Sequence, residues 1–205
     1  MTKPVLHHVN LKTTRLTEMI DWYGKVTGMT VVHQAPVGAW LTNDAANHRI
    51  ALLAFPWLSD DPAKEWHTGL HHTAFEFPTF GDLFDNYARL RDLAITPFIC
   101  LDHGGTTSMY FHDPDENLVE LQVDNFGDWA KSTEYAKTPE FAANPIGMFI
   151  DPVAVHEAYR SGRSHSELHA AMMAGQFLPD PVPVIGPPAP KGVSETRGSA
   201  HNGDG

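Results

Sequence analysis

Leu6-His7-His8-Val9-Asn10-Leu11 and Leu70-His71-His72-Thr73-Ala74-Phe75 write the same figure twice: an apolar residue, two histidines and a strand-like run. The second is followed, at about the length of one small module, by Asp113-Pro114-Asp115-Glu116-Asn117-Leu118-Val119-Glu120-Leu121. Two histidines and a carboxylate brought together from duplicated strands suggest a mononuclear metal site. Imidazole and carboxylate suit a divalent first-row metal, and three protein ligands leave coordination positions open.

Outward from these motifs, hydrophobic periodicity gives the elements. Val5 to Leu11 reads as a strand and Leu16 to Val26 as a helix with Leu16, Met19, Ile20, Tyr23 and Val26 on one face, stopped by Gly28. Met29 to His33, Gly38 to Thr42 and Arg49 to Phe55 read as three further strands. The order then repeats: strand Leu70 to Phe77, helix Phe80 to Leu93, and strands near Thr96 to Leu101, Thr107 to His112 and Leu118 to Val123. Pro56 to Thr68, with two prolines and several charges, suits a surface linker. The expected fold class is α+β. Two tandem βαβββ modules, 4–55 and 69–124, form one domain (1–127) whose sheets curl into an incomplete barrel, with helices outside and a metal-binding cup inside. A C-terminal extension, 128–178, carries a polar, turn-rich stretch from Trp129 to Pro139, an extended segment from Asn144 to Asp151 and a helical stretch from Pro152 to Ala174. The Pro-rich and then Gly-rich residues 179–205 read as a flexible tail.

Strand parity selects the cup-facing residues. Side chains alternate with a period of two, so His7 shares a face with Val9 and Leu11, and His71 with Phe75 and Phe77. Val119, Leu121 and Val123 form the apolar face of the last strand. In the absence of bulges, His8, His72 and Glu120 point the other way, into the cup. An isolated strand histidine is more often a hydrogen-bonded core residue, but the duplication reverses that reading, and His7 and His71 are read as supporting residues. An unpaired Glu120 in so apolar a strand would cost several kcal/mol, and a metal is the simplest partner. Aligning Asn117–Leu121 with Arg49–Leu53 puts Leu52 opposite Glu120, so the first module supplies no fourth ligand.

The 205 residues are 42% apolar and carry a formal net charge of -11, a soluble globular composition without the clustered Lys and Arg that nucleic acid requires. No stretch approaches the roughly 20 apolar residues of a membrane span. The single cysteine, Cys100, excludes an intramolecular disulfide framework, and the N-terminus lacks an apolar run of signal-peptide length, so a cytoplasmic location is expected. Thirteen histidines are too many to be informative by number alone.

Leu6-His7-His8-Val9, Asn47-His48-Arg49-Ile50-Ala51-Leu52, Leu70-His71-His72-Thr73, and the run from His103-Gly104-Gly105-Thr106-Thr107-Ser108-Met109-Tyr110-Phe111 into Asp113-Pro114-Asp115 and Glu120 together resemble the vicinal oxygen chelate superfamily. Within it they are most similar to small, one-domain type I extradiol catechol dioxygenases, over roughly Val5 to Asn125. The resemblance implies iron ligands at His8, His72 and Glu120, in agreement with parity. It places an acid/base histidine at His48, a hydrogen-bonding histidine at His103 and a substrate-contacting tyrosine at Tyr110. It implies Fe(II), with Mn(II) acceptable to the same donors, a catechol-type substrate cleaved with O2, and a homo-oligomer. Two other chemistries share this resemblance: a metal-dependent transferase or hydrolase of the fosfomycin-resistance type, and a metal-free aromatic-drug-binding protein of the bleomycin-resistance type. Glu116 departs from the glycine usual in the family's Asp-Pro-Asp-Gly-Asn turn.

Overall fold

The computed structural model describes residues 2–184, and the part of the expected tail from 185 to 205 lies outside the described residues. The first module comprises β1 (Val9–Lys12), α1 (Leu16–Thr27), β2 (Thr30–Ala35), β3 (Gly38–Thr42) and β4 (Ile50–Leu53). The second repeats it as β5 (His72–Glu76), α2 (Phe80–Asp92), β6 (Ile99–Asp102), β7 (Thr106–His112) and β8 (Leu118–Asp124). The linker contains one 3-10 turn, Lys64–Trp66.

The two sheets have the same topology, β1-β4-β3-β2 and β5-β8-β7-β6, and in each the first strand runs parallel to the last strand of its module. They remain two open sheets, with no closed barrel among the described residues. α1 places Met19, Tyr23 and Val26 in the core and ends where Gly28 turns left-handed at φ 69°. α2 is capped by Thr79, whose hydroxyl accepts the Asp82 amide, and buries Phe80, Leu83, Phe84, Tyr87 and Leu90. One apolar cluster joins Leu11 and Val9 of β1 to Val119 and Phe75 of the second module, so the core runs across the seam between modules. Tyr23 reinforces that seam by donating to Asp113 at 3.2 Å.

The first strand of each module starts later than the sequence predicts, at Val9 and His72. Its partner sets this limit: β4 begins at Ile50, and Val9 already donates to Arg49. Val5 and Leu6 therefore lie outside the ladder, 87% and 81% exposed.

The extension contains more structure than its sequence suggests. Trp129–Tyr135 and Pro139–Ala143 form short helices, α3 and α4, capped by Asp128 and Thr138. Neither buries a residue, so there is no apolar stripe for a sequence to display. A two-residue strand, β9 (Met148–Phe149), pairs with β6 and covers part of an edge that would otherwise be open. The predicted single helical stretch is two helices, α5 (Pro152–Arg160) and α6 (His165–Met173), with Ser164 and Glu167 forming a capping box at the second. Ile150, Val155, Leu168 and Met172 join the α2 core cluster. The extension thus packs on the helix side of the second module.

In the β7–β8 turn, Asp113 Oδ1 accepts the amides of Asp115 and Asn117 at 3.0 and 2.8 Å, which forces Glu116 to φ 61°. A non-glycine residue there costs about 1 kcal/mol. Glu116→Gly is therefore expected to raise Tm by roughly 2–4 °C in a differential scanning experiment.

Burial, and then the His169 charge, hold the His165 pKa below its ordinary value of 6.5, with Asp102 and Asp124 opposing. A histidine depressed in the folded state contributes stability above its unfolded pKa and loses it as pH falls through the lower folded value. Tm measured downward from pH 7 should fall below pH 6.5, and His165→Asn should flatten part of that slope.

Candidate metal centre

The same alternation that buries one face of each strand sends Tyr110 and Glu120 to the other. Glu120, 5% exposed, stands beside Tyr110 in the β7–β8 register. Its Oε2 lies 3.0 Å from His72 Nε2, and its Oε1 lies 3.0 Å from the Tyr110 hydroxyl. The hydroxyl in turn sits 3.0 Å from His103 Nε2, while His103 Nδ1 lies 2.6 Å from the Ile146 carbonyl. A carbonyl only accepts, so Nδ1 carries a proton. The phenol has one proton to give, to Glu120 or to His103. Burial, and then the nearby Glu120 charge, push the Tyr110 pKa far up, so the phenol stays protonated.

The first module brings His7, His8 and His48 together, with nitrogens all within 4.8 Å of one another. The rings of His8 and His48 are 4.3 Å apart. Burial, and then the His8 and His7 charges, lower the pKa of His48. Thus His72, Glu120, Tyr110 and His103 form one chain of contacts and His8 and His48 another. Among the described residues no hydrogen bond or ion pair links His8 to His72 or Glu120.

The doubled histidines have a geometric explanation, which gives a form to the supporting role expected of His7 and His71. His7 and His8 approach through their Nδ1 atoms at 3.2 Å, and His71 and His72 do so at 2.7 Å. In each pair the first ring engages Nδ1 of the second, fixing its orientation and leaving Nε2 as the available donor atom. The repeated spelling was the signal.

Strand register corrects the expected internal alignment. Val9 pairs with Ile50 and Thr73 with Val119, so the counterpart of Glu120 is Ala51, not Leu52, which lies in the core. The strand starts are staggered by one residue relative to the His-His motifs. The conclusion survives, because Ala51 offers no ligand atom. Trp40, opposite Ala51, is likewise the counterpart of Tyr110.

The donors present fit a divalent metal. His72 Nε2 and Glu120 Oε2 are spaced as two ligands of one ion would be, since donors at right angles and about 2.1 Å from a centre are about 3.0 Å apart. One imidazole and one carboxylate are donors suited to iron or manganese, and the His8 ring lies with His7 and His48 rather than within contact of them.

The chain belongs to the Glyoxalase/Bleomycin resistance protein/Dioxygenase superfamily, whose model matches residues 5–121. Its relatives narrow the comparison. Biphenyl-2,3-diol 1,2-dioxygenase 3 of Rhodococcus globerulus is 44% identical over 165 residues, covering 80% of this chain and 87% of the relative. Biphenyl-2,3-diol 1,2-dioxygenase 2 of the same organism is 39% identical over 183 residues, covering 89% and 96%. A lactoylglutathione lyase structure from Agrobacterium tumefaciens aligns with 60% of this chain and 95% of its own, at 19% identity and a TM-score of 0.48.

Tyr110→Phe removes a hydroxyl from between two partners and leaves buried Glu120 with His72 alone. It should destabilise the metal-free protein by about 1–3 kcal/mol in urea unfolding. Saturating metal should recover part of the loss by mass action.

Proposed function

We infer that this protein is an extradiol ring-cleaving dioxygenase that inserts both atoms of O2 into a catechol-type substrate at a mononuclear non-haem Fe(II) site held by His8, His72 and Glu120. The observation that carries this reading is the buried Glu120 carboxylate facing His72, backed by Tyr110 and His103, where the first module has only Ala51. Three protein ligands leave room for a bidentate substrate and dioxygen, and both relatives carry the name of an enzyme acting on an aryl-substituted catechol.

Iron in that cradle supplies the Lewis acidity that makes a catechol easier to ionise and the electrons that activate dioxygen. His48, its pKa lowered, is neutral at pH 7 and accepts the proton of the second hydroxyl. The same imidazole returns a proton as the ring bond beside a hydroxyl-bearing carbon breaks. Tyr110 is held protonated and acts as a hydrogen-bond donor rather than a base. His103, its Nδ1 proton fixed on Ile146, presents Nε2 toward Tyr110 and completes the polar wall.

The test is anaerobic Fe(II) reconstitution followed by oxygen uptake and visible absorbance with simple, alkyl and aryl catechols. The expected result is stoichiometric oxygen consumption with a yellow ring-opened product, strongest with an aryl catechol. Glu120→Ala should lose iron and turnover together, whereas His48→Gln should keep iron and lower turnover roughly 10²- to 10⁴-fold. Bound metal without oxygen uptake would instead indicate a transferase or hydrolase, and no metal at all a binding protein.

A further inference from the structure

Asp102 and His103 leave the end of β6 in opposite directions, as consecutive strand residues must. His103 reaches Tyr110, while Asp102 is fully buried on the helix side. There its Oδ2 lies 2.7 Å from His169 Nδ1 on α6, and its Oδ1 accepts the Gly104 amide at 2.8 Å and Asn125 Nδ2 at 3.0 Å. The extension touches the same short loop again. Gly147, at φ 86°, packs so closely on the backbone that a Cβ would overlap the Asp102 carbonyl oxygen and the His103 Cα. That approach delivers the Ile146 carbonyl to His103 Nδ1. Asn144 fixes the turn, donating to Gly147 O at 2.9 Å and accepting the Gly147 amide at 3.1 Å.

We propose that His169 and the Asn144–Gly147 turn are positioning residues for ring cleavage, acting through the Asp102–His103 backbone to set the aim and tautomer of His103. This rests on the reading of His103 as part of the reacting site. Every one of these groups lies beyond residue 121, where the superfamily match ends, so the paired modules do not aim His103 alone. The physical basis is leverage. Losing His169 leaves a buried carboxylate oxygen without its partner, and the relief available is movement of the loop that carries His103. Shifts of about 1 Å at a reacting group can lower turnover about 100-fold.

A double-mutant cycle tests this in the iron-loaded, full-length protein. His169→Leu and Asn144→Ala are each compared alone and with His103→Ala, measuring kcat, KM, the pH profile of kcat, iron content and Tm. The expected result for each single variant is a kcat lowered about 10- to 100-fold with iron content kept, KM changed less than about twofold and a displaced pH profile. His169→Gln, which can still donate to Asp102, should recover most of the rate. In the His103→Ala background the same substitutions should have little further effect on kcat. An undiminished effect there, or a lowered Tm with kcat and its pH profile unchanged, would overturn the proposal. If His103→Ala alone leaves turnover intact, the catalytic reading of His103 fails, and the positioning role fails with it. Asn144, at an exposed turn, keeps the test informative should His169→Leu fold poorly.

Discussion

A carboxylate placed inside an apolar strand constrains everything around it. Glu120 sits between Val119 and Leu121, both essentially buried, so its charge must be met on the opposite face of β8. There the neighbouring strands supply it: β5 brings His72 and β7 brings Tyr110, each 3.0 Å away. The cost of burying an unpaired carboxylate makes the pairing obligatory. The first module has Ala51 and Trp40 at the corresponding positions, so no buried charge has to be met there.

Duplication has therefore produced two similar scaffolds with divided tasks. Each carries a histidine pair whose first member orients the second, and each buries an amphipathic helix against its sheet. Only the second carries a buried carboxylate, Glu120, on its last strand and an extension that contacts Asp102 and His103. The first contributes His8 beside His48, an imidazole whose pKa is lowered by burial and then by its histidine neighbours. The asymmetry between modules matters as much for chemistry as their likeness does for folding.

Much of this was legible because period-two and helical patterns are local. α1 and α2 fall within a residue of their expected ends, and parity separated Val9, Leu11, Phe75 and Leu121, which join the core, from Glu120. What was not legible depends on chain segments meeting in space. The Ala51 register could not be counted from motifs because the β3–β4 and β7–β8 connections differ in length. The α3 and α4 helices bury no side chains, and β9 is too short to carry a pattern. The His169 link to Asp102 spans 67 positions; the one local hint was a pair of histidines, His165 and His169, at one-turn spacing on a helix.

The absence of buried residues in α3 and α4 has a dynamic consequence. Segments without core contacts open at little free-energy cost, while α5 and α6, which bury Val155, Leu168 and Met172, open only with much of the domain. Gly104 lies against Tyr135 of the loosely held segment, and Asp102 against His169 of the firmly held one. Amide exchange in 129–143 should accordingly run fast beside a slow 152–173. The Tyr135 side of the loop can therefore open while the Asp102–His169 contact on its other side stays closed.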